Sequence, residues 1–454
     1  MTHIFARRAR LPKGWASGVS VSLRDGKIAS VEANATPAEG AVNVDTLLPA
    51  LANVHSHSFQ RAMAGMTEYR SSAEDSFWTW RALMYRFANA ITPEQVEAIA
   101  ALVFMEMLEA GYASVGEFHY LHHQPGGAPY AALDELSQRI FAAASAAGIG
   151  LTLLPVLYTY GGAGKKPLAA EQLRFANDVD RFGRLVADAR AKATRAGPDV
   201  SVGIAPHSLR ATCPDDLRRV VSAHPEGPVH VHIAEQPKEV ADVEAWLGAR
   251  PVRWLLDNAA VGTRWTLVHA THMTEGETLA LAAAGAVVGL CPITEANLGD
   301  GAFNGAIYLE SGGAFGLGSD SNVRISLTEE LRTLEYSQRL RDLKRNVLSI
   351  NGASVGETLY PAAATGGARS LGRDAGVIEP GRLADLLAID SEAPSLCALK
   401  ESQILDGLCF AAGDDVVTDV WSGGRHMVRE GRHRAHEQIL AAYRKAIGAL
   451  LSAA

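Results

Sequence analysis

The sequence predicts an α/β protein: a (β/α)8 barrel with a small composite β-sandwich domain assembled from its N- and C-terminal segments. Three observations carry that expectation. From residue 47 onward, apolar strand-like runs alternate with Ala/Leu-rich stretches of helical period, and eight such runs can be counted. Strand-and-turn texture fills the first forty-odd residues and returns after about residue 374. Histidines and acids gather where the apolar runs end, which is where a barrel opens its active site. The chain is therefore expected to divide into residues 1–48 and 374–454 for the β domain and 49–373 for the barrel.

In chain order, "GVSVSLRDGKIASVEA" reads as two short strands around an Asp25-Gly26 turn. The eight runs follow: "TLLPALANVHSH", "ASVGEFHYL", "IGLTLLPVLYTY", "VSVGIAPHSL", "GPVHVHIAEQ", "RWTLVHATH", "GAVVGLCPITEANLG" and "GAFGLGSDSN". Their near-continuous apolar character suits parallel strands covered on both faces. Between them, "TPEQVEAIAALVFMEMLEAG" and "KEVADVEAWLGA" carry acidic–apolar helical periodicity. Further on, "GVIEPGRLADLLAID" and "DVVTDVWSGGRHMVREGRH" hold Pro-Gly, Gly-Gly and Glu-Gly turns between short apolar runs, and these strands are expected to pair with the N-terminal ones. Residues 437–454 read as a terminal helix. "YGGAGKK" is Gly-rich but lacks the spacing and the Ser/Thr of a phosphate loop.

Composition narrows the function. A chain of 454 residues, 48% hydrophobic, has material for one barrel-sized domain and something smaller. A net charge of −8 leaves no polycationic footprint, so nucleic acid is not an expected partner. "MTHIFARRARLPKGW" is basic but has no apolar core behind it and does not read as a signal peptide. Nor does any stretch of about 18 apolar residues predict a membrane span. The four cysteines (Cys213, Cys291, Cys397 and Cys409) form no C-x-x-C pair, which fits a reducing cytoplasm.

The strand-end rule then selects the chemistry. Run one ends with His55 and His57, run two with Glu117, His119 and Tyr120, and run four with His207 and Arg210. Run five ends with His232 and Glu235, run six with His269 and His272, and run eight with Asp320. Two residues apart on a strand, His55 and His57 point the same way. Imidazole nitrogens from His55, His57 and His232, with an oxygen from Asp320, make a zinc-competent set that leaves a position for water. Any one of these histidines could be an ordinary polar strand end; the combination across the barrel argues for metal. His230 forms a second H-x-H with His232 but sits one layer deeper, and reads as packed behind the ligands. His272 could support the site or lie on the surface. His122 and His123 fall beyond the strand and are expected to be solvated.

With those residues in view, the chain resembles the amidohydrolase superfamily over nearly its whole length. The matching pieces are "PALANVHSH", "HIAE", "VHATH", "GLGSDSN" and the closing "GVIEPGRLADLLAID". It looks like the mononuclear deaminase branch, because strand four ends in His207 and Arg210 where dinuclear branches place a carboxylated lysine. The resemblance implies one divalent metal ion, foremost zinc, and water attack on an amidine-like carbon. Zinc lowers the pKa of its water from about 16 towards 7. Asp320 would ligate the metal and accept a proton, His269 would orient the attacking oxygen, and Glu235 would shuttle a proton to the leaving nitrogen. The H-x-E and P-C-x-x-C signature of the nucleobase deaminases is missing.

Substrate choice must come from loop residues. "VHSHSFQRAMAG", "FWTWR", "GEFHYLHH" and "APHSLRA" resemble the N-formimino-L-glutamate deiminases of histidine degradation. That resemblance implies Gln60, Arg81, Tyr120, His207 and Arg210 as substrate binders, a set that suits a small dicarboxylate. It also implies a homodimer. Bland readings stand beside these: Arg81 could stack among Trp78, Trp80 and Tyr85, Arg210 could close a salt bridge at the barrel rim, and Tyr120 could simply finish its strand. Arg61 reads as a loop residue paired with a local acid. The alternatives are another aminohydrolase, of guanine- or adenosine-deaminase type, and a non-catalytic scaffold relative that kept only the barrel.

Overall fold

The N-terminal segment opens a mixed sheet with strands β1 (Thr2–Leu11), β2 (Gly14–Arg24), β3 (Lys27–Glu32) and β4 (Val42–Pro49) in a computed structural model that describes residues 2–69 and 77–453. The β2–β3 hairpin turns at Asp25 and Gly26, whose φ angles of 51° and 79° are those of a tight hairpin turn. The barrel follows with β5 (Leu51–Ser56), β6 (Tyr112–His119), β7 (Gly150–Leu157), β8 (Val200–Val202), β9 (Ala205–Pro206), β10 (Val229–Ile233), β11 (Trp265–His269), β12 (Val287–Leu290) and β13 (Ala314–Leu317). The chain returns to the first sheet with β14 (Leu386–Ile389), β15 (Val417–Ser422), β16 (Arg425–Arg429) and β17 (Arg432–His433).

The eight predicted runs thus become eight barrel positions, all parallel. Position four is interrupted, with β8 and β9 both pairing with β7. Single parallel bridges, Ile204 to Val229 and Ser208 to His232, carry the wall on to β10. Helices lie between the strands because their stop and start signals are present. Thr92 and Gln95 form a capping box ahead of the helix Pro93–Glu109, with proline at the first helical turn. Gly248, at φ 75°, ends the helix Pro237–Leu247 in the left-handed conformation. The terminal helix runs His436–Ala453. Apolar side chains of strands and helices form one large core, while the terminal sheet has a smaller core around Ile4, Val21, Leu47 and Trp421.

The β unit expected from the two termini is present as one continuous path of eight strands, β17-β16-β15-β14-β4-β1-β2-β3. Its N- and C-terminal halves meet where β4 pairs antiparallel with β14. Only Ala50 separates β4 from β5, so the terminal sheet runs almost directly into the first barrel strand. The Ala50 amide donates to the Asp385 carbonyl at 3.1 Å, and the Tyr360 hydroxyl donates to the Pro49 carbonyl at 2.9 Å. The Asp385 carboxylate is buried against Arg373 at 2.9 Å and accepts the Gly423 amide at 2.7 Å. All four cysteines are free thiols. No helix of the described residues is long and apolar enough to cross a membrane.

Removing one member of a buried, hydrogen-bonded ion pair strands its partner, so Asp385→Ala is expected to cost about 3–5 kcal/mol. Urea unfolding measures this; a loss under about 1 kcal/mol would show that the Arg373 contact is not needed to seat the terminal sheet.

Candidate active site

β5 delivers the first two candidate ligands. The strand's alternation puts His55 and His57 on one side, and both are buried. Their Nε2 atoms lie 3.2 Å apart, and Asp320 Oδ1 is 3.4 Å from the first and 3.3 Å from the second. With His232, from β10, these are four donors whose ligating atoms all lie within 4.8 Å of one another. His57 Nδ1 donates to the Phe118 carbonyl at 2.9 Å, and His232 Nδ1 donates to the His207 carbonyl at 3.2 Å. In a neutral ring that leaves the inward Nε2 as a bare lone pair. Lone pairs this close repel unless a cation lies between them. Two nitrogens at about 2.1 Å from one tetrahedral zinc sit roughly 3.4 Å apart, so the spacing fits.

Electrostatics agree with the geometry. Burial pulls His55 down to about 3, and it lowers His57 and His232 as well, so all three stay neutral bases. Burial alone would raise Asp320. Its hydrogen bond and charge interactions with His55, and those with His57 and His269, outweigh that and hold it well below the usual carboxylate range. Three neutral nitrogens and one carboxylate match a divalent ion of zinc type. Phe118 closes the apolar side, edge-on to the rings of His55, His57 and His232.

The ligands are locked by backbone. The Asp320 amide donates to the His55 carbonyl, and the His57 amide donates to the Asp320 carbonyl, each at 2.9 Å. Asp320 holds φ 48°, and Ala234, His269 and Ala270 at the ends of β10 and β11 are also left-handed, at 51°, 67° and 50°. Non-glycine residues adopt this conformation at a cost, and here the strain collects at the barrel mouth. Gly318 lies against His55: a β-carbon there would come within 2.8 Å of the His55 β-carbon and carbonyl oxygen. The glycine is what lets the end of β13 approach β5 so closely.

Glu235 and His269 face the same centre. His269 Nε2 lies 3.8 Å from Glu235 Oε1 and 3.9 Å from Asp320 Oδ2, a gap sized for a reacting group. Burial raises Glu235 above the ordinary carboxylate value despite the nearby His269 and Arg210, as suits a group that carries a proton. Arg210 Nη2 contacts Glu235 Oε2 at 3.2 Å. Buried Glu239 accepts the Ala234 and Glu235 amides at 3.2 and 3.0 Å, fixing the turn. Burial opposes charge on His269, but its hydrogen bond with Glu295 and the charges of Glu235 and Asp320 lift it to about 10.

All five expected substrate binders line one pocket with His57, His232, Glu235 and Asp320. The Gln60 amide donates to the Tyr120 hydroxyl at 2.7 Å. Arg81 donates to the Tyr158 hydroxyl at 2.8 Å and lies 5.2 Å over the Tyr85 ring, so it stacks as the bland reading expected while also lining the pocket. The Trp78 side chain lies outside the described residues. His207 stacks on His232 with ring centroids 4.9 Å apart. Arg61 pairs with an acid, Glu106, at 2.9 Å, but from the 3-10 turn Ser58–Met63 and not from a loop, and with a partner distant in sequence. His230 points away from the cluster and donates to the Ser370 carbonyl at 2.9 Å, and His272 Nε2 donates to the Asp300 carbonyl at 2.8 Å. The expectation for His122 and His123 is corrected: both are buried, donating to the Val156 and Ala176 carbonyls at 3.0 and 2.8 Å, because the segment Ala170–Phe175 folds over them. Three contributors were missed: Tyr158 at the end of run three, Gln172, and Glu295 in run seven, whose Oε1 lies 3.2 Å from His269 Nδ1 and accepts the Cys291 amide at 2.9 Å.

Barrel, candidate metal site and the carboxylate–imidazole pair beside it fit a hydrolase, and the chain belongs to the amidohydrolase family, which it matches over residues 46–427. Within that family its kin are the formimidoylglutamate deiminases. Residues 1–41 match the N-terminal domain of formimidoylglutamate deiminase HutF. The formimidoylglutamate deiminase of Pseudomonas aeruginosa is 50% identical over 99% of this chain and 100% of its own length. A crystal structure of an amidohydrolase from Brucella melitensis superposes with a TM-score of 0.96 at 47% identity, covering 99% of this chain and 100% of that one. An adenosine deaminase from Xanthomonas campestris shares the fold, with a TM-score of 0.81 at 24% identity over 99% of this chain and 98% of its own.

Gly318→Ala is expected to push β5 away from Asp320 and lower the metal content of the purified protein several-fold while leaving it folded. Elemental analysis beside circular dichroism reads this. Stoichiometric metal in the alanine variant would mean that the close approach does not set the ligand spacing.

Proposed function

We propose that the chain hydrolyses N-formimino-L-glutamate to N-formyl-L-glutamate and ammonia, with one zinc ion held by His55, His57, His232 and Asp320. The observation that carries this reading is the convergence of two arginines, Arg81 and Arg210, on the pocket that holds the ligand cluster. Two guanidinium groups suit a small dicarboxylate. A purine would want a flatter, more apolar slot, and a scaffold protein would have no use for an intact ligand and acid–base set.

When bound, the metal supplies Lewis acidity and a water whose pKa falls towards 7. The chain's own residues do the rest. Asp320, held ionised, takes the proton of the attacking water. Its neighbour His269, its Nδ1 engaged by Glu295, presents Nε2 to the oxygen that bonds to the formimino carbon. Glu235 donates a proton to the terminal nitrogen, the C–N bond breaks as the carbinol hydroxyl returns a proton to Glu235 and the formyl C=O forms, and ammonia leaves with the proton Asp320 had taken. Gln60, Tyr120 and His207 orient the substrate, and Arg81 and Arg210 each take a carboxylate. The reading extends to a homodimer working in the cytoplasm, in histidine degradation, with neither nucleic acid nor membrane as partner; the family resemblance and the free thiols support it.

Incubation with N-formimino-L-glutamate is expected to release ammonia and N-formyl-L-glutamate in equal amounts; formamide with free glutamate would sink the reading. Arg81→Met and Arg210→Met should each raise KM by about tenfold or more at unchanged zinc content, and zinc loss would contradict their assignment. Glu235→Gln should lower kcat by a factor on the order of 10²; near-normal turnover would remove Glu235 from the mechanism.

A further inference from the structure

Among the described residues, the two phenols at one end of the pocket receive more N–H groups than they find acceptors for their own protons. The Gln172 carboxamide is oriented without ambiguity, because its Oε1 accepts the Ala169 amide at 2.9 Å. Its nitrogen must therefore donate, and it does so twice, to the hydroxyls of Tyr85 and Tyr158, each at 3.0 Å. The Tyr158 oxygen also receives the Arg81 guanidinium at 2.8 Å. Two phenol oxygens thus accept three N–H groups, which fills both lone pairs of Tyr158. At most one phenolic proton can go to the other phenol. At least one is left to point into the pocket, beside a guanidinium that cannot deprotonate. Tyr158 and Gln172 are both buried, so bulk water does not supply the missing acceptor freely. Such a site asks for an anion.

Its position says which anion. Tyr158 stacks edge-on against His207 at 4.7 Å, and His207 lies over the ligand His232. The phenol is thus two rings out from the metal donors, whereas Arg210 touches Glu235 directly. The carboxylate nearest the formimino group belongs beside Arg210, and the remote one belongs at Tyr158.

We propose that the Tyr158 hydroxyl, with Arg81 and Tyr85 beside it, binds the side-chain carboxylate of the substrate, and that Gln172 is the positioning residue that keeps these phenols donating inward. This rests on the deiminase reading. Tyr158 determines specificity for a second acidic group, and Gln172 acts only through it.

The test compares wild type, Tyr158→Phe and Gln172→Leu on three compounds. These are N-formimino-L-glutamate, 4-(formiminoamino)butyrate, which lacks the α-carboxylate, and N-formimino-L-norvaline, which lacks the side-chain carboxylate. For any compound turned over too slowly, its inhibition constant against N-formimino-L-glutamate is read instead. Tyr158→Phe removes a single oxygen. It is expected to raise KM about tenfold on the first two compounds, with kcat within about twofold, and to leave the norvaline compound unchanged. Gln172→Leu should shift the same two constants in the same direction by a smaller factor. An unshifted KM for Tyr158→Phe, an equal penalty on all three compounds, or a penalty confined to the norvaline compound would each overturn the subsite. Wild-type protein that releases no ammonia from N-formimino-L-glutamate would overturn the deiminase reading and the subsite together. Normal wild-type turnover with an unshifted Tyr158→Phe would overturn the subsite alone.

Discussion

Two backbone hydrogen bonds hold the site together. The Asp320 amide meets the His55 carbonyl, and the His57 amide meets the Asp320 carbonyl. This short parallel ladder closes the barrel where β13 and β5 otherwise pair at only one position, Leu317 with Asn53. It also sets the distances among three of the four ligands. Side chains on loops could drift; these are tied to the same peptide groups that complete the wall. The left-handed turn at Asp320 and the bare Gly318 are the local consequences of forcing that closure. On its strand-four side His232 joins through a single bridge to Ser208, so the interrupted strand four is also where a loop residue, His207, can lie flat on the His232 ring.

Around that frame the charges are sorted by layer. Deepest are neutral imidazoles, kept neutral by burial, with one carboxylate among them. Next come Glu235, biased towards holding a proton, and His269, biased by Glu295 towards carrying charge. Furthest out are the Arg81 guanidinium and the Tyr158 hydroxyl, which receives both Arg81 and Gln172. Under the proposed function, a dianionic substrate would be drawn to the outer layer and present its formimino end to the inner one. Such a polarity gradient would orient that molecule before any individual contact is made.

Much of this was legible in the sequence because a barrel turns linear order into convergence. The His-x-His spacing put His55 and His57 on one face, and the ends of runs five and eight supplied His232 and Asp320. What escaped notice followed from applying the strand-end rule unevenly. Runs three and seven end in Tyr158 and, one turn into the helix Pro292–Leu298, Glu295. Tyr158 is not a residue type that announces a metal, and Glu295 lies past its strand inside a helix, so neither drew attention. Gln172 was beyond reach, since it lies in a connecting segment whose path over the barrel mouth depends on tertiary packing. The same segment explains His122 and His123. Their sequence neighbours, Gln124, Pro125, Gly126 and Gly127, look like a surface loop, yet buried Arg174 donates to the His123 carbonyl at 2.8 Å and its own carbonyl accepts both histidine amides at 3.0 Å.

The junction at Ala50 has a consequence for how such a protein can change over time. Modular proteins trade domains because a linker insulates one unit from the next. Here the last residue of the terminal sheet and the first of the barrel are separated by one alanine, whose amide is held by the opposite end of the chain through Asp385. Any shift in the sheet's register would travel four residues and arrive at His55. The small domain is therefore not an accessory that could be exchanged for another. It is the datum from which the ligand strand is measured, and the two halves of the chain must vary together.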